Sequence, residues 1–71
     1  MDQTIKLSPR QQQVLDGMWR GELRKETAYR LGLTDLTVRN YRAHLYRKAG
    51  TTNAVSVVRW ALEHHLLEVG R

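Results

Sequence analysis

Seventy-one residues without a cysteine make one small, thinly cored domain that neither a disulfide framework nor a thiolate metal site can staple. No apolar run nears the roughly 20 residues of a membrane span, and residues 1–6 form a polar lead with no signal-peptide stretch, so the chain reads as soluble. The lack of cysteine fits a cytoplasmic compartment. The formal charge of +5 is localised: Arg20 to Lys48 holds eight bases and three acids, while the four bases and four acids elsewhere cancel. A basic field confined to one segment attracts polyanions, although a merely solubilising surface would carry the same charge.

Ser8-Pro9-Arg10-Gln11 opens the first helix. Ser8 can cap, Pro9 suits the first helical position, and Gln11 can reach back to complete a capping box. Val14, Leu15, Met18 and Trp19 then recur at helical spacing, which predicts a helix over 9–19 ended by Gly21. Gly17 is out of place inside it, because glycine costs roughly 1 kcal/mol against alanine there. A second helix is expected over 24–31 with Thr27, Ala28 and Leu31 inward, although Leu23 before it cannot cap.

Gly32-Leu33-Thr34 forms a tight turn. Gly32 closes the second helix, Leu33 plugs the core and Thr34 caps the next helix. The third helix is expected over 35–48, before Gly50. The fourth, capped by Asn53 or Thr52, is expected over 53–67 and carries Ala54, Val55, Val57, Val58, Ala61, Leu62 and Leu66. Valine favours strands by propensity, but three of the valines sit in this last segment at helical spacing, so the chain reads as all-α.

Two short helices joined by a glycine-containing turn form a helix-turn-helix, a pattern any αα-corner can show. What the third helix exposes is more informative. Val38, Tyr41, Leu45 and Ala49 share its inward face, opposite Leu36, Arg39, Asn40, Ala43 and Arg47. Arg39 can donate two hydrogen bonds to guanine, Asn40 can pair with the adenine edge, and Leu36 or the small Ala43 can touch a thymine methyl. Arg42, Tyr46, Arg47 and Lys48 flank the strip where phosphates would lie. An ordinary exposed helix mixes acids and bases, whereas Leu36 to Lys48 has four bases and no acid.

Taken together, Leu7-Ser8-Pro9-Arg10, Val14-Leu15, Gly21, Lys25-Glu26, Ala28, Leu31-Gly32-Leu33-Thr34, Thr37-Val38-Arg39, Arg47-Lys48 and Gly50 resemble the LuxR/GerE-type DNA-binding domain. The likeness spans about Leu7 to Leu67. It implies an all-α, four-helix fold of the winged-helix-like superfamily without a wing, occupying residues 7–71, with the third helix in the major groove. It also implies a sequence-specific transcription regulator that binds double-stranded DNA as a homodimer on an inverted repeat. Such a protein would be cytoplasmic, bacterial or phage-encoded, and nucleoid-associated when bound.

Position by position, the resemblance gives Arg39, Asn40 and Ala43 to the bases and Thr37 and Lys25 to phosphates, while Leu36 joins the base contacts from the reading of the outward strip. Arg24, Thr34, Arg42, Tyr46 and Arg47 complete the expected phosphate contacts. Several residues depart from the pattern: Gln11 replaces an acid, Thr27 and Ala49 replace aliphatic residues, Tyr41 stands where histidine is frequent, and Ala43 where a base is common. The expected consequences are a hydrogen bond in place of an ion pair at Gln11, a lighter core, and a different sequence preference.

The apolar arc of the fourth helix is about twice what one core-facing stripe of a little over 100° needs. Val57, Trp60, Ala61 and His64 are therefore expected to face a partner copy, the alternative being a half-exposed Trp60. Members of the family it resembles usually carry a receiver or ligand-binding domain before this one, for which the chain has no room, so it reads as a stand-alone regulator or an excised C-terminal domain. No phosphate loop, nucleophile elbow or metal-ligand spacing suggests an enzyme or a cofactor. The pair His64-His65 beside Glu63 would point about 100° apart on a helix and could not share an ion. The rival function is a small protein-interaction module that pairs with a larger regulator of the same family; RNA polymerase is a further conceivable partner.

Overall fold

Each helix starts on a local hydrogen bond. The computed structural model describes residues 6–67 and forms α1 (Pro9–Trp19), α2 (Arg24–Leu31), α3 (Asp35–Ala49) and α4 (Ala54–Glu63). Most of the polar lead and residues 68–71 lie outside the described range, and no strand occurs within it. At α1 the capping box is complete: Gln11 N–H donates to Ser8 Oγ at 3.1 Å, and Ser8 N–H donates to Gln11 Oε1 at 2.9 Å. Gln11 thus makes a hydrogen bond where the resemblance implies an ion pair. Leu23 has no capping side chain, but its N–H donates to Glu26 Oε1 at 2.7 Å, so Glu26 supplies the missing start signal of α2. Thr34 caps α3. Asn53, not Thr52, caps α4 by accepting from Val55 N–H and Ser56 N–H.

All four helices end in the same way. The last carbonyls accept a pair of bonds from two consecutive residues just past the helix, one of them left-handed. The bond of each pair that spans five residues runs from Glu22 N–H to the Gly17 carbonyl, Leu33 to Ala28, Thr51 to Tyr46 and Leu66 to Ala61. The left-handed residue is glycine in three cases (Gly21, Gly32 and Gly50) and His65, at φ 60°, in the fourth. With no glycine to mark the stop, the expected span of 53–67 overruns: α4 ends at Glu63, and His64 and His65 occupy the turn rather than a helix. The chain after the turn is still tied down, since Gln12 Nε2 donates to the Leu66 carbonyl at 2.9 Å and Leu67 enters the core.

α3 packs against all three other helices. Val14, Leu15, Val38, Leu45, Val57 and Ala61 are fully buried, with Met18, Ala28 and Leu67 nearly so. Two expectations change here. Trp19 is 42% exposed and is not core. Val57 and Ala61, expected to face a partner copy, are 0% exposed because they fill the space between α4 and the other helices. Trp60 is half-buried and His64 exposed, their rings 5.6 Å apart.

Thr27 is the buried polar residue of this core, and Gly17 explains how it is tolerated. Thr27 Oγ1 donates to Glu22 Oε1 at 2.8 Å, and a Cβ on Gly17 would sit 2.6 Å from both oxygens. The glycine that helix propensity disfavours therefore leaves room for the carboxylate and hydroxyl packed over it. Replacing Gly17 with alanine should destabilise the domain by about 1–3 kcal/mol, as overpacking does, instead of yielding the gain of roughly 1 kcal/mol that propensity gives an exposed site. His65→Gly should do the opposite, raising stability by about 1 kcal/mol through relief of the left-handed backbone and the melting temperature by roughly 4–8 °C for a domain this size. Thermal melts of the two variants check both signs.

Candidate nucleic-acid interface

The turn Gly32-Leu33-Thr34 and the burial of Val38 and Leu45 set how α3 is rotated. Leu36 is 61% exposed, Arg39, Asn40 and Arg47 are exposed, and Ala43 is partly covered. Tyr41 and Ala49 are half-buried against the core, as the inward-face pattern requires. Among the described residues, neither Arg39 nor Asn40 has a side-chain hydrogen bond or ion pair, although two other arginines are paired with carboxylates. The centre of the strip is therefore cationic, polar and unengaged.

The residues expected to flank it divide by what already holds them. Arg24 Nε donates to Asp35 Oδ1 at 2.8 Å, an ion pair between the first turns of α2 and α3 with both side chains nearly half exposed. An exposed pair of this kind contributes little to stability, but it holds Arg24 beside α3, where it lines a cleft with Arg39. Thr34 Oγ1 accepts from Thr37 N–H at 3.1 Å and donates to Thr37 Oγ1 at 2.8 Å. Its proton is thus spent within the turn, while the Thr37 hydroxyl keeps its own proton to give. Lys25 and Arg47 are exposed.

Arg42 departs furthest from expectation. Its Nη2 donates to the Glu22 carbonyl at 2.9 Å, and its Nε is buried without a partner among the described residues. The guanidinium binds back onto the α1–α2 connection because residue 42 points toward the buried side of α3, so Arg42 is in large part a tie between helices. Tyr46 likewise packs partly on the core. Arg24, Arg39, Arg42, Ala43 and Tyr46 nevertheless line one open cleft of about 330 Å³ along α3.

Glu22 and Arg30, which the sequence did not single out, anchor this arrangement from below. Arg30 Nε donates to Glu22 Oε2 at 2.9 Å and Arg30 Nη2 to Glu22 Oε1 at 3.0 Å, a forked pair on partly covered side chains. Hydrogen bonds from Arg30 and then from Thr27 hold the Glu22 carboxyl below its ordinary range, and the carboxylate in turn raises Arg30. The traces of the cluster in the sequence are the misplaced Gly17 and the threonine at position 27.

A helix-turn-helix that presents an acid-free, basic outer face on its second helix defines a DNA-binding module. The model of the bacterial regulatory proteins of the luxR family (GerE) matches residues 6–61, and the chain belongs to that family of DNA-binding transcription regulators. It is 38% identical over 64 residues to the response regulator Rre1 of Synechocystis, covering 90% of this chain and 28% of that protein. It is 34% identical over 61 residues to the transcriptional regulatory protein MctR of Rhizobium johnstonii, covering 86% and 28%. The probable transcriptional regulator ycf29 of Cyanophora paradoxa is 35% identical over 63 residues, covering 89% and 30%. The chain thus spans less than a third of the length of these relatives. The crystal structure of the response regulator ChrA of a heme-sensing two-component system shares the fold, with a TM-score of 0.83 at 24% identity over 93% of this chain and 33% of that one. No described helix is long and apolar enough to cross a membrane.

The Glu22 cluster carries a testable pH dependence. A carboxyl whose folded value lies below its ordinary 4.5 contributes stability that is present above that value and lost as pH falls through the lowered one. Thermal melts from about pH 6 to about pH 3 should show a falling midpoint for the native chain. Glu22→Gln should melt lower at neutral pH but lose less of its stability on acidification.

Proposed function

We propose that the chain binds duplex DNA sequence-specifically, with α3 in the major groove and Arg39 and Asn40 reading base edges. The observation that carries this reading is that these two side chains stand unengaged at the centre of an exposed, acid-free strip on a helix capped at both ends. In this reading Arg39 makes the forked contact to guanine and Asn40 the one to adenine. Ala43 lets the backbone approach, with Leu36 against a thymine methyl. Arg24, Lys25, Thr37 and Arg47 hold the phosphates and thereby set the register. Arg42, Tyr46 and Thr34 serve chiefly to position α2 against α3.

The proposed setting is the bacterial cytoplasm, and the proposed assembly is a pair of copies on an inverted repeat. Since Val57 and Ala61 are buried, such pairing has to use the exposed side of α4 near Trp60 and His64. No observation in the structure favours the rival role of a protein-interaction module over DNA contact.

Selection from random duplexes should return a consensus sequence, and the spacing of its half-sites should report pairing. Alanine at both Arg39 and Asn40 should abolish preference for that consensus, each contact being worth about 1–3 kcal/mol of discrimination, while fold and self-association persist. Binding should also weaken steeply with salt as phosphate contacts release counterions. Full regulatory activity of the double variant in cells would favour the protein-interaction role instead.

A further inference from the structure

A second cleft, of about 270 Å³, opens on the other flank of α3 and is lined by Thr37, Asn40, Tyr41 and His44. Its chemistry differs from that of the arginine cleft. No charged side chain lines it, and each lining residue has a hydrogen-bond donor. The Thr37 hydroxyl receives a bond from Thr34 and keeps its own proton. The Tyr41 hydroxyl and the Asn40 amide have no acceptor among the described residues, although Tyr41 is half-buried.

His44 is the informative member. Arg47 Nη2 lies 2.9 Å from His44 Nδ1. A guanidinium has no acceptor, so in this contact Nδ1 accepts and the ring proton sits on Nε2. Arg47 thereby selects a tautomer in which the free ring nitrogen is a donor.

The two clefts lie where the backbones of a bound duplex would run. A helix with its side chains is about 10–12 Å across and the major groove is about 12 Å wide, so a helix seated there meets one strand's phosphates on each flank. We infer that this cleft takes a backbone phosphate through the neutral donors of Thr37, Tyr41 and His44, with Asn40 left to its base edge, while the opposite cleft takes one through arginines. This rests on α3 lying in the major groove, and it adds Tyr41 and His44 to the contacts. The grip of the two clefts is then asymmetric: the contacts of the arginine cleft respond to salt and those of the neutral cleft do not. Neutral donors to a phosphate oxygen make charge-assisted hydrogen bonds, yet they bring no cation and release no counterion of their own.

The test is duplex affinity as a function of salt, on the selected consensus and on a scrambled duplex of equal length. Tyr41→Phe combined with His44→Ala should weaken binding about tenfold, from two lost hydrogen bonds of modest net strength. The loss should be equal on both duplexes and leave the slope of log affinity against log salt unchanged. Arg24→Ala should reduce that slope by about 1. His44→Asn, which keeps a neutral donor, should recover part of the loss, and thermal melts should show all variants folded. Unchanged affinity in the double variant, a fall in its salt slope, or a loss confined to the consensus would each overturn the neutral phosphate cleft while leaving groove binding intact. Failure of the native chain to bind either duplex would overturn both readings.

Discussion

Glu22 holds the helix-turn-helix in shape. Its N–H closes α1 by donating to the Gly17 carbonyl, its carboxylate takes Thr27 and Arg30 of α2, and its carbonyl takes Arg42 of α3. One residue in a short connection therefore contacts three helices through three different groups. The carboxylate is largely covered, at 19% side-chain exposure, and a covered charge is tolerable only when its acceptor sites are filled. Here both oxygens are engaged, by a forked guanidinium and a hydroxyl. This satisfaction explains three residues that look unfavourable singly: glycine within a helix, threonine in the core, and an arginine turned inward.

The orientation of the outer face of α3 follows from that corner. Arg42 is anchored to the α1–α2 connection, while Arg24 is paired with Asp35 at the first turn of α3. These tethers, together with the buried Val38 and Leu45, leave the helix little freedom to roll. Side chains that must meet fixed hydrogen-bond patterns need such a rigid mount, because a small rotation would carry Arg39 and Asn40 away from any base edge they address.

The sequence made the helices legible wherever their ends carry conventional residues. Ser8, Thr34 and Asn53 mark starts, and Gly21, Gly32 and Gly50 mark stops, so the first three helices lie within a residue of expectation. The fourth was overrun because His65 adopts a backbone conformation that sequence patterns assign to glycine. Periodicity also found the outward strip, since a helix face is decided by local spacing. It could not identify the inward course of Arg42, because a long basic side chain can lie along apolar surface with its charged end satisfied by a remote carbonyl. Val57 and Ala61 were misassigned for a related reason: a broad apolar arc shows that much surface is to be covered, but not which part the same chain covers. The Glu22 cluster escaped notice because its members, at positions 17, 22, 27 and 30, lie on two helices and the connection between them and follow no helical period.

The bond from Gln12 to the Leu66 carbonyl spans 54 positions, whereas the other side-chain hydrogen bonds of the described residues span 20 or fewer. Short-range closure is quick and loses little chain entropy, and architectures built from it form in microseconds to milliseconds. By this measure the side-chain bonds that orient α3 close over short stretches of chain, and the clasp of Gln12 on Leu66 carries the largest closure cost. After a transient opening at its ends, the domain can recover its DNA-facing surface without first reuniting its termini.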